Sequence, residues 1–204
     1  MSELPRRENI VKAILEGIVD AQQECLRWTN NAAWLSLAPE YMMNIFIGQH
    51  LSKLSPMPEI WFEIGIEDLA ESIGSKDKKA FCLGVRRNNH KLEKIDIVLD
   101  NNGKSEVIIE VKNAISDYGD GTQKDILRIC NALKYGNQLD YGIFACFANI
   151  DKKIEIENTL KSSILENIRN EANDFNVDLQ MANICPTDVD GWSCAAACFV
   201  ISRK

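Results

Sequence analysis

Residues Lys94 to Lys112 read KIDIVLDNNGKSEVIIEVK, and the fold of the chain turns on them. Two short runs rich in Ile and Val, Ile95 to Leu99 and Val107 to Val111, flank a polar stretch containing Asn102-Gly103. Such runs are β-strands joined by a turn. Strands this apolar lie deep in a sheet covered on both faces. Yet Asp96, Glu110 and Lys112 stand within or beside them. Alternation puts Ile108, Glu110 and Lys112 on one face and Val107, Ile109 and Val111 on the other. Asp96 shares a face with Val98.

The turn decides whether the two acids meet. A two-residue Asn102-Gly103 loop would pair Asp96 with Ile109 and put the acids on opposite faces. A loop of three or five residues pairs Asp96 with Ile108 or directly with Glu110, about 5–8 Å apart on one face. The longer loop is expected, because the alternative buries charges without partners at several kcal/mol each. Two carboxylates and a lysine on one face suit phosphodiester chemistry. Carboxylate oxygens are hard ligands for Mg²⁺, with Mn²⁺ as a substitute, and the backbone carbonyl of Val111 is a further candidate ligand. The metal acidifies a bound water, and the lysine orients that water or offsets charge on the phosphate.

With Asp96, then Glu110-Val111-Lys112, and thirteen residues between the acids, the chain resembles the PD-(D/E)XK nuclease superfamily. Ile95 stands where the family name has proline. The resemblance covers roughly residues 39–147. It implies a restriction-endonuclease-like αβββαβ core: an α/β fold with a mixed central sheet flanked by helices, here with an extra N-terminal helix and C-terminal strands. It also implies a Mg²⁺-dependent DNA endonuclease in which Asp96 and Glu110 hold the metal and Lys112 serves the water. In that family an acid on a helix before the sheet often completes the metal site, and Glu40 is the candidate. The helix after the E-x-K strand often adds a polar group, for which Lys124 and Gln123 are candidates, with Arg128 one turn on.

At 204 residues the chain fits one domain, 1–204, with 46% apolar and 26% charged residues. The charged start Met1 to Asn9 does not read as a signal peptide, and no apolar run approaches a membrane span. A cytoplasmic protein without membrane contact is expected. Seven scattered cysteines, no C-x-x-C pair and two histidines argue against a zinc site and for reduced, buried thiols. The net charge of −7 is unusual for a nucleic-acid binder. Basic residues do cluster at Arg86, Arg87, His90, Lys91 and Lys94. Arg86, Arg87 and Lys91 are the candidate phosphate contacts, against the plainer alternative of a solvated loop. Many nucleases of this fold are dimers, so a homodimer is compatible with the resemblance. The rival reading is a non-catalytic acidic protein of the same fold, immunity-like or regulatory, that binds a protein partner through its charge. Its three motif residues would then be a buried ion network.

The remaining elements follow from periodicity. Helices are expected over Arg6 to Trp28, Pro39 to Leu54, Asp68 to Ile73, Thr122 to Lys134 and Asp151 to Asp174. Thr122-Gln123-Lys124-Asp125 resembles a capping box, with Asp125 as its cap partner. Strands are expected at Glu59 to Ile66, Phe81 to Arg86, Tyr141 to Ala148, Val177 to Met181 and Cys194 to Ile201. The crossover from the Glu110 strand through the third helix to Tyr141–Ala148 should be parallel.

Overall fold

The computed structural model describes residues 4–85, 94–151, 156–183 and 192–204. The expected hairpin is present as β2 (Lys94–Asp100) and β3 (Ser105–Ile115), antiparallel to each other. Its turn is not the longer loop expected from the sequence. Asn101 and Lys104 exchange backbone hydrogen bonds of 2.9 and 3.2 Å around Asn102 and Gly103, which sit at φ 53° and 75°. That is a two-residue turn with both central residues left-handed, the geometry Asn-Gly favours. Continued regularly, it would have separated the two acids. Glu106 prevents this: Asp100 pairs with Ser105 but Leu99 with Val107, so Glu106 is an extra residue in β3. The bulge moves the register by one position. Ile97 then pairs with Ile109, which places Asp96 opposite Glu110.

Around this hairpin the chain forms a six-stranded mixed sheet of order β1-β2-β3-β4-β6-β5. Its other strands are β1 (Glu59–Gly65), β4 (Tyr141–Asp151), β5 (Phe175–Asn183) and β6 (Trp192–Arg203). Only β3 and β4 run parallel, joined as expected through α5 (Asp120–Tyr135). The parallel pair needs such a crossover, whereas the other neighbours pair antiparallel.

Helices cover both faces, which is why β3 and β4 read as nearly continuous apolar runs. On one face lie α1 (Arg7–Trp28) and α2 (Glu40–Leu51), whose Ile14, Ile18, Met43 and Ile47 pack on Ile97, Ile109 and other strand residues. On the other lie α3 (Ile66–Ser72), α4 (Lys78–Val85) and α5, packed on Val98, Ile108 and Phe144. Two glycines permit close approach. A Cβ at Gly17 would stand 2.6 Å from the Ile47 Cα, so Gly17 lets α1 and α2 touch at their backbones. A Cβ at Gly142 would lie 2.3 Å from Ile129, so Gly142 lets α5 settle on β4. These contacts fix the depth at which α2 and α5 present their polar residues to the sheet.

Three further expectations are corrected. Phe81 to Arg86 is not a strand: its described part is the end of α4. Asp77 explains this, since its carboxylate accepts the Ala80 N–H at 2.8 Å and starts the helix. Phe81 packs edge-on against Tyr135, ring centroids 6.5 Å apart. The capping box at Thr122 does not form, because α5 begins two residues earlier with Gly119 as its cap. Finally, Asp151 closes β4, and the helical segment starts at Ile156 among the described residues. There α6 (Ile156–Thr159) and α7 (Glu166–Glu171) are joined by a π-helical turn, Leu160–Leu165. The cysteines read as expected where described: Cys25, Cys82, Cys130, Cys146, Cys194 and Cys198 are in no disulfide, and all but Cys82 are buried. Cys185 lies outside the described residues. No described helix is long and apolar enough to cross a membrane.

Candidate active site

The sheet opens where the motif residues sit. Pairing of β1 with β2 continues to Lys94, and pairing of β3 with β4 continues to Ile115. Between β2 and β3, however, the ladder stops at Ile97 and Ile109. Past that point the Val111 N–H donates to Asp96 Oδ2 at 2.8 Å, so a side chain replaces the strand partner. On its other side Asp96 lies beside Glu63, at φ 56°, which interrupts β1 between the Phe62–Ile97 and Ile64–Ile95 pairs. A left-handed non-glycine residue in a strand is strained backbone, and such strain concentrates at functional positions. A second instance, Ala114 at φ 57°, follows Lys112 and Asn113 where the β3–β4 register shifts.

Into this fork project the acids of the motif. Glu110 is 1% exposed, and its Oε1 accepts Arg128 Nε at 2.6 Å. Its Oε2 is buried and receives no hydrogen bond from a donor among the described residues. Arg128 also reaches Asp125, one turn earlier on α5, whose side chain is buried. Lys112 Nζ lies 3.7 Å from Glu40 Oε2 and 3.9 Å from Asp125 Oδ2. Glu40, in the first turn of α2, accepts the Asn113 N–H at 3.0 Å. The Asn113 amide in turn donates to the Leu35 and Ala38 carbonyls at 2.7 and 2.9 Å. These three bonds tie the segment before α2 to the end of the motif strand, and so place Glu40 beside it.

The electrostatics follow from crowding. Burial, then repulsion from Glu40, raises the Asp96 carboxyl above its ordinary value, opposed by the Val111 N–H and by the neighbouring Glu110 and Arg128. Burial pushes Glu110 well above the ordinary range; Arg128 opposes this and Asp96 adds to it. Burial raises Asp125 to about 6, against the pull of Arg128 and Lys112. Four carboxylates, Glu40, Asp96, Glu110 and Asp125, thus face two cations, Lys112 and Arg128. Counted over these described residues, the cluster has two more negative than positive charges when all are ionised, in a place where burial makes them costly.

Of the residues singled out in the sequence, the structure brings together Asp96, Glu110, Val111, Lys112 and Glu40. Lys124 is exposed on α5 and makes none of these ion pairs; the α5 side chains that reach the acids are Asp125 and Arg128. Gln123 bonds Glu171 instead. Arg86, Arg87 and Lys91 lie outside the described residues, and Lys94 pairs with Glu63 at 3.2 Å. Asp125 was masked by its resemblance to a cap. The signal that could have found it is the Asp125-x-x-Arg128 spacing, which puts both charges on one helical face that also carries the buried Ile129 and Thr122. Asn113 gave no signal, because its partners are backbone carbonyls distant in sequence.

Among the described residues the donor set fits a hard divalent cation: oxygen ligands only, four acids against two cations, and one buried carboxylate oxygen lacking a donor. Among the described residues, no three His, Cys, Asp or Glu side chains already converge as a metal cage. Glu110 is turned to Arg128 and Glu40 to Asn113. Mg²⁺ needs no full protein cage, since it is commonly held by one or two carboxylates, waters and a substrate phosphate. Comparison with protein-family models, curated proteins and solved structures returned no match to this chain.

Proposed function

We propose that this chain is a metal-dependent phosphodiesterase of the PD-(D/E)XK type, acting on DNA as an endonuclease. The observation that carries the reading is the β2–β3 register, which ends at Ile97–Ile109 and so sets Asp96 opposite Glu110 at the open fork, with Lys112 two residues beyond on the same face. The α/β sheet, with its first four strands adjacent and a parallel crossover after the motif, is consistent with it.

Asp96 and Glu110 hold Mg²⁺ or Mn²⁺ in this reading. Glu40 stands close enough to Lys112 to join them. The Val111 carbonyl points to the same side of β3 as its N–H, toward Asp96, because both groups of a strand residue face one neighbour. A bound divalent ion supplies a more acidic water and charge neutralisation at the phosphate. Lys112, partly exposed between Glu40 and Asp125, keeps its ammonium at the mouth of the fork. From there it donates to the attacking water or to a phosphate oxygen. Burial of Glu110 fixes one ligand rigidly, while the more exposed Glu40 can adjust.

A second reading is favoured by one observation, the Arg128–Glu110 pair, which offsets the charge of one motif carboxylate without metal. It takes the chain as a non-catalytic protein of the same fold whose acidic surface binds a protein partner. Incubation of plasmid and single-stranded DNA with the purified protein, in Mg²⁺, Mn²⁺ or EDTA and beside Lys112→Ala, separates the two. The nuclease reading predicts metal-dependent cutting that is lost in the variant. No cutting of any substrate in either metal would favour the partner-binding reading.

A further inference from the structure

Arg128 stands where the proposed chemistry needs a different cation. Its Nε is 2.6 Å from Glu110 Oε1, and its Nη2 bonds Asp125. It therefore neutralises the carboxylate that the motif assigns to the metal. We propose that Arg128 is an internal counter-cation: it holds Glu110 in the metal-free protein and is displaced from it when a divalent cation binds. The inference rests on the metal-binding reading above.

Which partner moves follows from burial. Glu110 sits on β3, paired in register with Phe144 of β4 and 1% exposed, so its carboxylate is the inner partner of the pair. Arg128 is 18% exposed at the side chain and carries a long flexible stem, so it has a way out. Asp125 gives it a second anchor, so the guanidinium can leave Glu110 without leaving the site. Removing a cation from a buried carboxylate without replacement is strongly unfavourable. The exchange is thus coupled: the divalent ion enters as the guanidinium withdraws. The consequence is weakened metal affinity in the resting protein. A guanidinium held by Asp125 at the mouth also presents parallel N–H donors suited to a phosphate.

The test is Mn²⁺ binding without nucleic acid, followed by calorimetry and by loss of the free-ion paramagnetic resonance signal. Wild type is compared with Arg128→Gln and Arg128→Met. Removing the competing charge is expected to tighten Mn²⁺ binding by about tenfold or more. Equal or weaker binding by both variants would overturn the proposal while leaving the metal site standing. No Mn²⁺ binding by any of the three would overturn this proposal and the metal-binding reading together. Should the variants fail to fold, the assigned Arg128 Nε–H resonance of the wild-type protein gives an independent readout during Mg²⁺ titration. It is expected to shift, and to exchange faster with water, in step with metal saturation. An Nε–H resonance unchanged at saturating Mg²⁺ would refute displacement.

Discussion

Replacing Asp125 by asparagine tests the electrostatics of the cluster without altering its shape. Burial raises the Asp125 carboxyl from its ordinary 3.8 to about 6, so the folded protein binds that proton more tightly than the unfolded chain. Its stabilising contribution is therefore present below about pH 4 and is lost as pH rises through about 6. A shift of about two pKa units corresponds to about 3 kcal/mol of stability lost between acid and neutral pH. The amide of the Asp125→Asn variant does not titrate, so the variant lacks this loss. Measured in EDTA by thermal unfolding from pH 4 to 8, wild type should fall relative to Asp125→Asn as pH rises. The separation should reach about 6–12 °C in Tm for a chain of this length. Parallel curves for the two proteins would show that Asp125 is ionised at no cost in the fold, and the idea of a charge-frustrated cluster would fail.

Further outcomes follow from the same geometry. At pH 7.5, Mg²⁺ at ten times its dissociation constant should raise wild-type stability by about 1.4 kcal/mol, read as a few degrees in Tm. The rise should be absent in Asp96→Asn combined with Glu110→Gln. Asn113→Ala removes the two bonds to the Leu35 and Ala38 carbonyls and should cost about 1–3 kcal/mol in chemical denaturation. Gly17→Ala would drive a methyl to 2.6 Å from the Ile47 backbone. It should destabilise by about 1–3 kcal/mol or more, with α1 and α2 forced apart in a crystal structure.

Much of this arrangement is legible in the sequence because it depends on local pattern. The Ile and Val runs give β2 and β3, and alternation puts Glu110 and Lys112 on the same face as Ile108. The parallel crossover follows from the helix between two apolar strands. The register is legible in outcome but not in device. Asn102-Gly103 does make the two-residue turn its chemistry favours, and Glu106 corrects the register with a bulge. Nothing in a serine–glutamate–valine sequence announces a bulge. What selects it is the cost of the alternative, in which acids would be split between two apolar layers.

Other features escape for definite reasons. The run from Ala80 to Val85 is apolar enough for a strand, and a single aspartate, Asp77, turns it into a helix. Asp125 suits two roles locally, cap or ion partner. Only the position of α5 over β3 and β4, set in part by Gly142, makes it the second. The Arg128–Glu110 pair joins residues eighteen apart on different elements, so it belongs to tertiary packing alone.

Everything proposed for this chain depends on Asp96 and Glu110 forming a divalent cation site. A crystal structure grown with Mn²⁺, with data collected at the manganese absorption edge, would show that site or its absence. An anomalous peak is expected about 2.1 Å from oxygens of both carboxylates, in the fork between β2 and β3. A fork with no peak at saturating Mn²⁺, and the Arg128 guanidinium still on Glu110, would contradict it.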